Sequence, residues 1–206
     1  MQNTDVSQAD FWSNRYNLGE TQWDIGQISP PLKAYIDHLC EQGVAKTSKI
    51  LLAGAGNAYE ASYLHAKGFS DVYVLDFASI PLANFAKNNP TFSHDHLLQA
   101  DFFTLDPQVY QFDFIIEQTF FCAIDPSRRE AYAKQMANLL YPSGELFGVL
   151  FNKEFEQNPP FGGNLASYQT LFSPYFKIKT LQPCYNSISP RQGSELFVVL
   201  KSLKHG

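Results

Sequence analysis

Apolar and polar positions along this chain keep two rhythms. Short, nearly continuous apolar runs at 49–53, 71–75, 96–100, 112–117 and 145–151 read as strands buried on both faces. Helical spacing fills the intervals. A helix from Pro126 to about 140 would carry Tyr132, Met136, Leu139 and Leu140 on one face. Ser29-Pro30-Pro31 predicts a helix start, with Ser29 as cap and proline in the first turn, running to about Glu41. A helix over about 57–67 ends at Gly68, and Ser79-Ile80-Pro81 caps another to about 88. Residues 8–17 predict a short helix with Phe11, Trp12 and Tyr16. Residues 152–165, with two prolines and two glycines, read as a loop before a short helix at 166–172. Strands at about 175–182 and 194–202 close the chain.

Strand–helix alternation predicts an α/β, doubly wound, mostly parallel sheet with helices on both faces. The last two strands depart from that rule. About a dozen residues separate them, including Ser187, Ser189, Pro190 and Gly193. A crossover helix hardly fits, so one antiparallel strand at the C-terminal end is expected. Ligands in such sheets bind outside the carboxyl ends of the strands. The loops there are 54–60, 76–79, 101–106, 117–125 and 152–163.

The first of those loops carries the strongest chemical signal. Strand 49–53 ends in Gly54-Ala55-Gly56, and the next strand ends in Asp76, 20 residues after the second glycine. Glycines let backbone approach a ligand, and an acid at that spacing accepts hydrogen bonds from a ribose diol. A dinucleotide fingerprint wants a small third residue where the pyrophosphate meets the helix. Here that position is Tyr59, followed by Glu60. A ring and an acid suit a pyrophosphate poorly. They suit a nucleoside with a cationic or zwitterionic arm, such as S-adenosylmethionine. The bland reading, a tight turn without a ligand, loses ground because Asp76 sits at the right distance.

Composition narrows partners. The chain has 206 residues, 45% hydrophobic and 17% charged, with net charge −5. That predicts a single domain over 1–206, with 1–45 forming an N-terminal lid and helices and 46–206 the cofactor-binding core. No Lys/Arg block occurs, so nucleic acid is not an expected partner. No apolar run reaches the ~20 residues of a membrane helix, and no signal peptide is evident. Three dispersed cysteines, Cys40, Cys122 and Cys184, fit a reduced, cytoplasmic protein. A monomer acting on a small molecule is the expectation. Eighteen Phe and eleven Tyr call for a reason.

Motifs supply one. Phe11-Trp12-Ser13-Asn14-Arg15-Tyr16 and Gly19-x-Thr21-x-Trp23-Asp24-x-Gly26 resemble the N-terminal signature of the thiopurine S-methyltransferase family, closest to its thiol and halide methyltransferase branch. Gly54-x-Gly56-x-Ala58-Tyr59-Glu60 is similar to its cofactor loop. Asp101-Phe102-Phe103, Thr119-Phe120-Phe121-Cys122-Ala123-Ile124, Arg129-x-Ala131-Tyr132-Ala133, Pro159-Pro160-Phe161 and Pro190-Arg191-x-Gly193-x-Glu195 follow in family order. The resemblance spans about residues 11–202 and implies a class I, Rossmann-like methyltransferase using S-adenosylmethionine. It implies that Trp12, Tyr16 and Trp23 cover the cofactor, with Tyr16 where tryptophan is usual. Gly54 and Gly56 form the loop at the methionine moiety. Asp76 takes the ribose, with Phe77 beside it, and Asp101 and Phe102 flank adenine. Glu117 replaces the usual aspartate and reaches the methionine ammonium. Gln118 stands where tyrosine is frequent, and Gln157-Asn158 replaces a Gly-Gly pair.

The chemistry agrees. Aromatic faces attract a sulfonium cation by roughly 0.5–2 kcal/mol. Methyl transfer needs collinear reacting atoms in a dry site. A thiolate, halide or metalloid anion needs no base, and none is evident; Glu117 and Asp24 are the candidates, read first as cofactor-binding or structural. His94-x-His96 with Asp95 reads as a solvated turn and no metal is expected. Cys122 reads as a small buried residue. Arg128 and Arg129 read as surface salt-bridge formers, while Arg129 or Arg191 would attract an anionic acceptor. Two alternatives stay open: a nicotinamide (NAD(P))-dependent oxidoreductase, and a non-catalytic nucleoside-binding protein.

Overall fold

The computed structural model describes residues 5–204, in which seven strands form one sheet. In chain order the elements are α1 (Ala9–Leu18), α2 (Pro30–Glu41), β1 (Ile50–Ala53), α3 (Tyr59–Ala66), β2 (Val72–Asp76), α4 (Ser79–Asn88), β3 (Leu97–Gln99), β4 (Phe112–Gln118), α5 (Arg129–Leu139), β5 (Leu140–Phe151), α6 (Leu165–Phe172), β6 (Phe176–Pro183) and β7 (Glu195–Ser202). The strand order is β3-β2-β1-β4-β5-β7-β6. Strands β1 to β5 pair in parallel, and β7 alone is reversed, antiparallel to both β5 and β6. The expected doubly wound sheet with one antiparallel strand is therefore present. Strand order turns back between β1 and β4, which puts the switch point at their carboxyl ends.

Alternation within the strands builds two cores. Ile50 and Leu52 of β1 join Leu32 and Ile36 of α2, Leu64 of α3 and Phe85 of α4. Leu51 and Ala53 point the other way, onto Tyr132 and Met136 of α5 and Phe172 of α6. The inner strands are thus covered twice, which is why they read as unbroken apolar runs. Side chains of this size contribute roughly 1.5–3 kcal/mol each on burial.

Several boundaries differ from the sequence expectation. Ser29 is in the N-cap position of α2, yet its side chain makes no cap; its backbone N–H donates to Glu60 Oε1 at 3.3 Å. Ser79 lies inside α4, and Ala78 takes the cap position. Helix α3 starts at Tyr59 because Gly56 and Ala58 still hold positive φ. Residues 126–128 form a 3-10 turn that feeds α5. Strand β5 begins at Leu140, since Pro142-Ser143-Gly144 bulges within it: Phe112 pairs with Leu140 and Phe114 with Glu145. His94–His96 forms a 3-10 turn, where His96 stacks on Tyr73 at 4.2 Å.

In the pairing of β4 with β5, Glu117 and Gly148 are register partners. A Cβ on Gly148 would meet the Glu117 carbonyl oxygen at 2.3 Å and its Cβ at 2.5 Å. Both contacts are with parts of the chain that cannot swing aside. Gly148→Ala is expected to destabilise the protein by about 1–3 kcal/mol through overpacking. Urea unfolding checks this; an unchanged midpoint would contradict the packing described.

Candidate active site

The loops at the carboxyl ends of the parallel strands surround a cleft of about 460 Å³. Its floor is the turn after β1. Gly54 and Gly56 have φ of +58° and +53°, and Ala58 +50°. Three left-handed residues in alternation coil the backbone tightly, and glycine takes such angles without strain. The ring of Phe120 lies on Gly54, where a Cβ would sit 2.2 Å from it; the hydroxyl of Tyr16 lies over Gly56.

Asp76 closes this turn from the end of β2. Its Oδ2 accepts the Gly56 N–H at 3.0 Å and its Oδ1 the Ala78 N–H at 2.9 Å. Burial outweighs these bonds and pushes its carboxyl up to about 6. The Phe77 N–H is a third donor to it; a carboxylate offers about four lone-pair sites, so acceptor capacity remains at the cleft lining. Phe77 follows it on the lining, and Asp101 and Phe102 come from the loop after β3. Asp101 Oδ1 accepts the Phe103 N–H at 3.0 Å, which shapes that loop. Gln135 Nε2 donates to the carbonyls of Phe102 and Leu105 and holds it from α5.

The amino-terminal segment covers the cleft. Trp12, Tyr16 and Trp23 form one aromatic cluster, with edge-to-face pairs at 5.4 Å (Trp12–Trp23) and 5.7 Å (Tyr16–Trp23). All three line the cleft. Asp24 ties the segment to the glycine turn: its Oδ2 accepts from Asn57 Nδ2 and from the Tyr59 hydroxyl, and its Oδ1 from Gly26 N–H at 2.7 Å. Arg191 ties it to the opposite wall by donating to the Trp23 carbonyl at 2.9 Å. Tyr59, which broke the dinucleotide fingerprint, therefore serves as a tether. Glu60 is buried, bonds to the Ser29 N–H, and has its carboxyl pushed up by burial. The carboxylate over the helix start is Asp24. The expected N-terminal lid and helices over 1–45 include residues 1–4, which lie outside the described residues.

Glu117 lies behind the cleft wall. It is 1% exposed and does not line the cleft. Its Oε1 accepts from Phe120 N–H and Phe121 N–H, both at 2.9 Å, and its Oε2 from the Tyr132 hydroxyl at 2.5 Å. Burial pushes it up to about 7 despite these donors. It fixes the loop after β4 from behind. That loop then presents Gln118, Thr119 and Phe120 to the cleft, with Thr119 at φ +58°. Gln118 Oε1 is buried without a hydrogen-bond partner among the described residues. A buried acceptor left unmade is costly, so a donor on a bound molecule suits it. Asp24, the other base candidate, accepts the three bonds above.

One stretch of the lining is mainly apolar, with two cations beside it. Phe151, Phe155, Pro159 and Pro160 line it, with Lys153 and Arg191. Arg129 does not reach the cleft. Its Nη2 donates to the carbonyls of Phe161 and Gly162 at 3.2 and 2.8 Å, so it anchors the wall. Arg128 lies over the Phe103 ring at 3.7 Å. Cys122 lines the cleft, but burial first and Glu117 next push its thiol up to about 12. It stays a neutral thiol beside the cleft. The Asp24 and Arg191 tethers were not foreseen from the sequence; their partners lie 33, 35 and 168 positions away.

The family model described as thiopurine S-methyltransferase (TPMT) matches residues 7–201. The chain belongs to that family. It is an S-adenosylmethionine-dependent methyltransferase, which sets the oxidoreductase alternative aside. A probable thiol methyltransferase 2 from Arabidopsis thaliana is 30% identical over 189 residues, covering 89% of this chain and 81% of the relative. Thiocyanate methyltransferase 1 of Brassica oleracea is 29% identical with the same coverage. A thiopurine S-methyltransferase of Vibrio parahaemolyticus is 25% identical over 82% of this chain and 84% of the relative. Among solved structures, the fold is similar to a Burkholderia thailandensis 1,6-didemethyltoxoflavin-N1-methyltransferase (TM-score 0.75, 16% identity, covering 95% of this chain and 87% of that one). It is also similar to the magnesium protoporphyrin IX methyltransferase of Synechocystis (TM-score 0.72, 12% identity, 97% and 99%).

The Glu117 assignment has two consequences. Glu117→Ala strands three donors and should cost about 2–4 kcal/mol in stability. Glu117→Gln should fold and retain most activity. The folded-state value near 7 exceeds the ordinary 4.5, so the native protein holds this proton longer than the unfolded chain. Wild type should therefore lose stability relative to the Gln variant as pH rises from about 4.5 to about 7, and level off above. Thermal melts across that range check the sign, and an inactive but folded Gln variant would return Glu117 to the chemistry.

Proposed function

We propose that the cleft binds S-adenosylmethionine with its ribose on Asp76 and delivers methyl to a small, soft anion, a thiolate first and a halide, thiocyanate or metalloid anion next. The carrying observation is the Asp76 carboxylate: buried, tied to the glycine turn, and still with acceptor capacity on the cleft. Adenine falls between Phe77, Asp101 and Phe102. The methionine arm lies along Gly54 and Gly56, with its ammonium donating to the unpaired Gln118 Oε1. Trp12, Tyr16 and Trp23 exclude water and face the sulfonium. When bound, the cofactor supplies an electrophilic methyl group, and this chain's residues orient and desolvate. The apolar rings and prolines of the acceptor side suit a polarizable anion, and Lys153 on the same lining favours its charge. No residue is assigned as general base; the acceptor sheds its proton to solvent beforehand.

The names of the thiol and thiocyanate methyltransferases support the acceptor class. The same reading takes 1–206 as one catalytic domain, monomeric and cytoplasmic, without nucleic-acid or membrane partners. Among the described residues no helix is long and apolar enough to cross a membrane.

Two measurements test this function. S-Adenosylhomocysteine should bind, and Asp76→Ala should weaken it by about 2–3 kcal/mol in a folded protein, the scale of charge-assisted hydrogen bonds. Hydroxyl donation favours ionised Asp76, so wild-type affinity should hold above about pH 6 and fall as pH drops through that value. Calorimetry giving equal affinity for both proteins, flat with pH, rules out the ribose role. For chemistry, the rate at subsaturating thiol should rise towards each thiol's own pKa, near 8.5 for a cysteine-like acceptor. A halide should show little rise. One inflection common to all acceptors would instead mark a base on the protein, and no turnover with any soft nucleophile would favour the non-catalytic binder.

A further inference from the structure

The ion pair Arg191–Glu195 is the least exposed in the described structure, with side chains 11% and 4% exposed. It sits at the end of the β6–β7 connection, on the acceptor wall of the cleft. Burying a charge pair is costly unless remaining donors are used. Two of them are used here: Nη1 faces Glu195 Oε1 at 3.5 Å and Nη2 donates to the Trp23 carbonyl at 2.9 Å, while the guanidinium lies 5.5 Å from the Phe151 ring. Glu195 already balances the charge of Arg191. The Trp23 contact, 168 positions away in sequence, uses its directional donor.

The residue that accepts from Arg191 adjoins the residue that holds the cofactor turn. Asp24 bonds Asn57 and Tyr59, while the Trp23 ring packs on Trp12 and Tyr16. The two-residue segment Trp23–Asp24 is therefore pinned at both ends, to the cofactor half of the cleft by Asp24 and to the acceptor half by Arg191. We propose that Arg191 is a positioning residue that latches the aromatic lid to the acceptor wall, so that cofactor retention depends on a residue lying on the acceptor side. Glu195 aims the guanidinium and keeps it from acting as a free anion hook. The inference rests on the cofactor site proposed above and assigns Arg191 a role in retaining the ligand there.

Trp12 and Trp23 are the only tryptophans in the chain, so intrinsic fluorescence reports the lid directly. The test follows release of S-adenosylhomocysteine by stopped flow in wild type, Arg191→Met and Arg191→Lys, with thermal melts alongside. In Arg191→Met release should accelerate by roughly 10–100-fold, the range of one charge-assisted hydrogen bond. Its unliganded emission should move to the red as Trp23 gains solvent. Arg191→Lys keeps a cation beside Glu195 and should recover part of the effect; it carries the test if the Met variant does not fold. Pairing Arg191→Met with Asp24→Ala should give less than the product of the two single effects, because both pin one segment. Lowered melting temperature with release and emission unchanged would mean a structural role only and overturn the latch. So would a rise in acceptor KM alone, which would make Arg191 an anion hook. Wild type that binds no S-adenosylhomocysteine would fail the cofactor reading itself, a distinct result.

Discussion

The carboxylate of Asp76 is the fixed point of this molecule's function. It is 7% exposed and carries a charge in a place that resists charge. Two backbone N–H groups, from Gly56 and Ala78, offset part of that cost. They also lock the glycine turn after β1 to the end of β2. Everything over the cleft builds on that turn: Tyr16 rests on Gly56, Phe120 on Gly54, and Asp24 reaches Asn57 at its shoulder. A buried acid that is incompletely satisfied by protein donors is a poor choice for stability and a good one for holding a diol.

The abundance of aromatic residues follows from two separate demands. Phe85, Phe112, Phe147 and Phe172 fill the cores on either side of the sheet. Trp12, Tyr16, Trp23, Phe77, Phe103, Phe151 and Phe155 line the cleft instead. Rings there give a dry enclosure and faces that favour a sulfonium. Glu117 joins the two sets. It lies behind the cleft wall, bound to Tyr132 of the core, and orients the loop that carries Gln118 and Phe120. The acid that sequence comparison places against the ligand thus acts one layer back.

Local rules made much of this legible. Unbroken apolar runs identified β1, β2 and β4, and the glycine pair with Asp76 marked the cofactor turn, because each depends on neighbours in the chain. The boundaries that shifted depend on distant partners. Strand β5 reaches back to Leu140 only because Phe112 is there to pair with it. Ser29 sits at the cap position without a side-chain cap, and its backbone N–H goes to Glu60, 31 positions on. The same limit hid the tethers. Nothing near Asp24 announces Asn57 and Tyr59, and nothing near Arg191 announces the Trp23 carbonyl. A strand-end acid reads alike in sequence whether its side chain turns to the cleft or, as with Glu117, to the loop behind.

A crystal structure of the complex with S-adenosylhomocysteine examines the central claim most directly. The account predicts both ribose hydroxyls within hydrogen-bond distance of the Asp76 carboxylate, with the Gly56 bond to Oδ2 retained. It predicts the methionine ammonium on Gln118 Oε1 and Trp12, Tyr16 and Trp23 closed over the ligand. A ribose placed away from Asp76, or a ligand lying outside the aromatic cover, would contradict it.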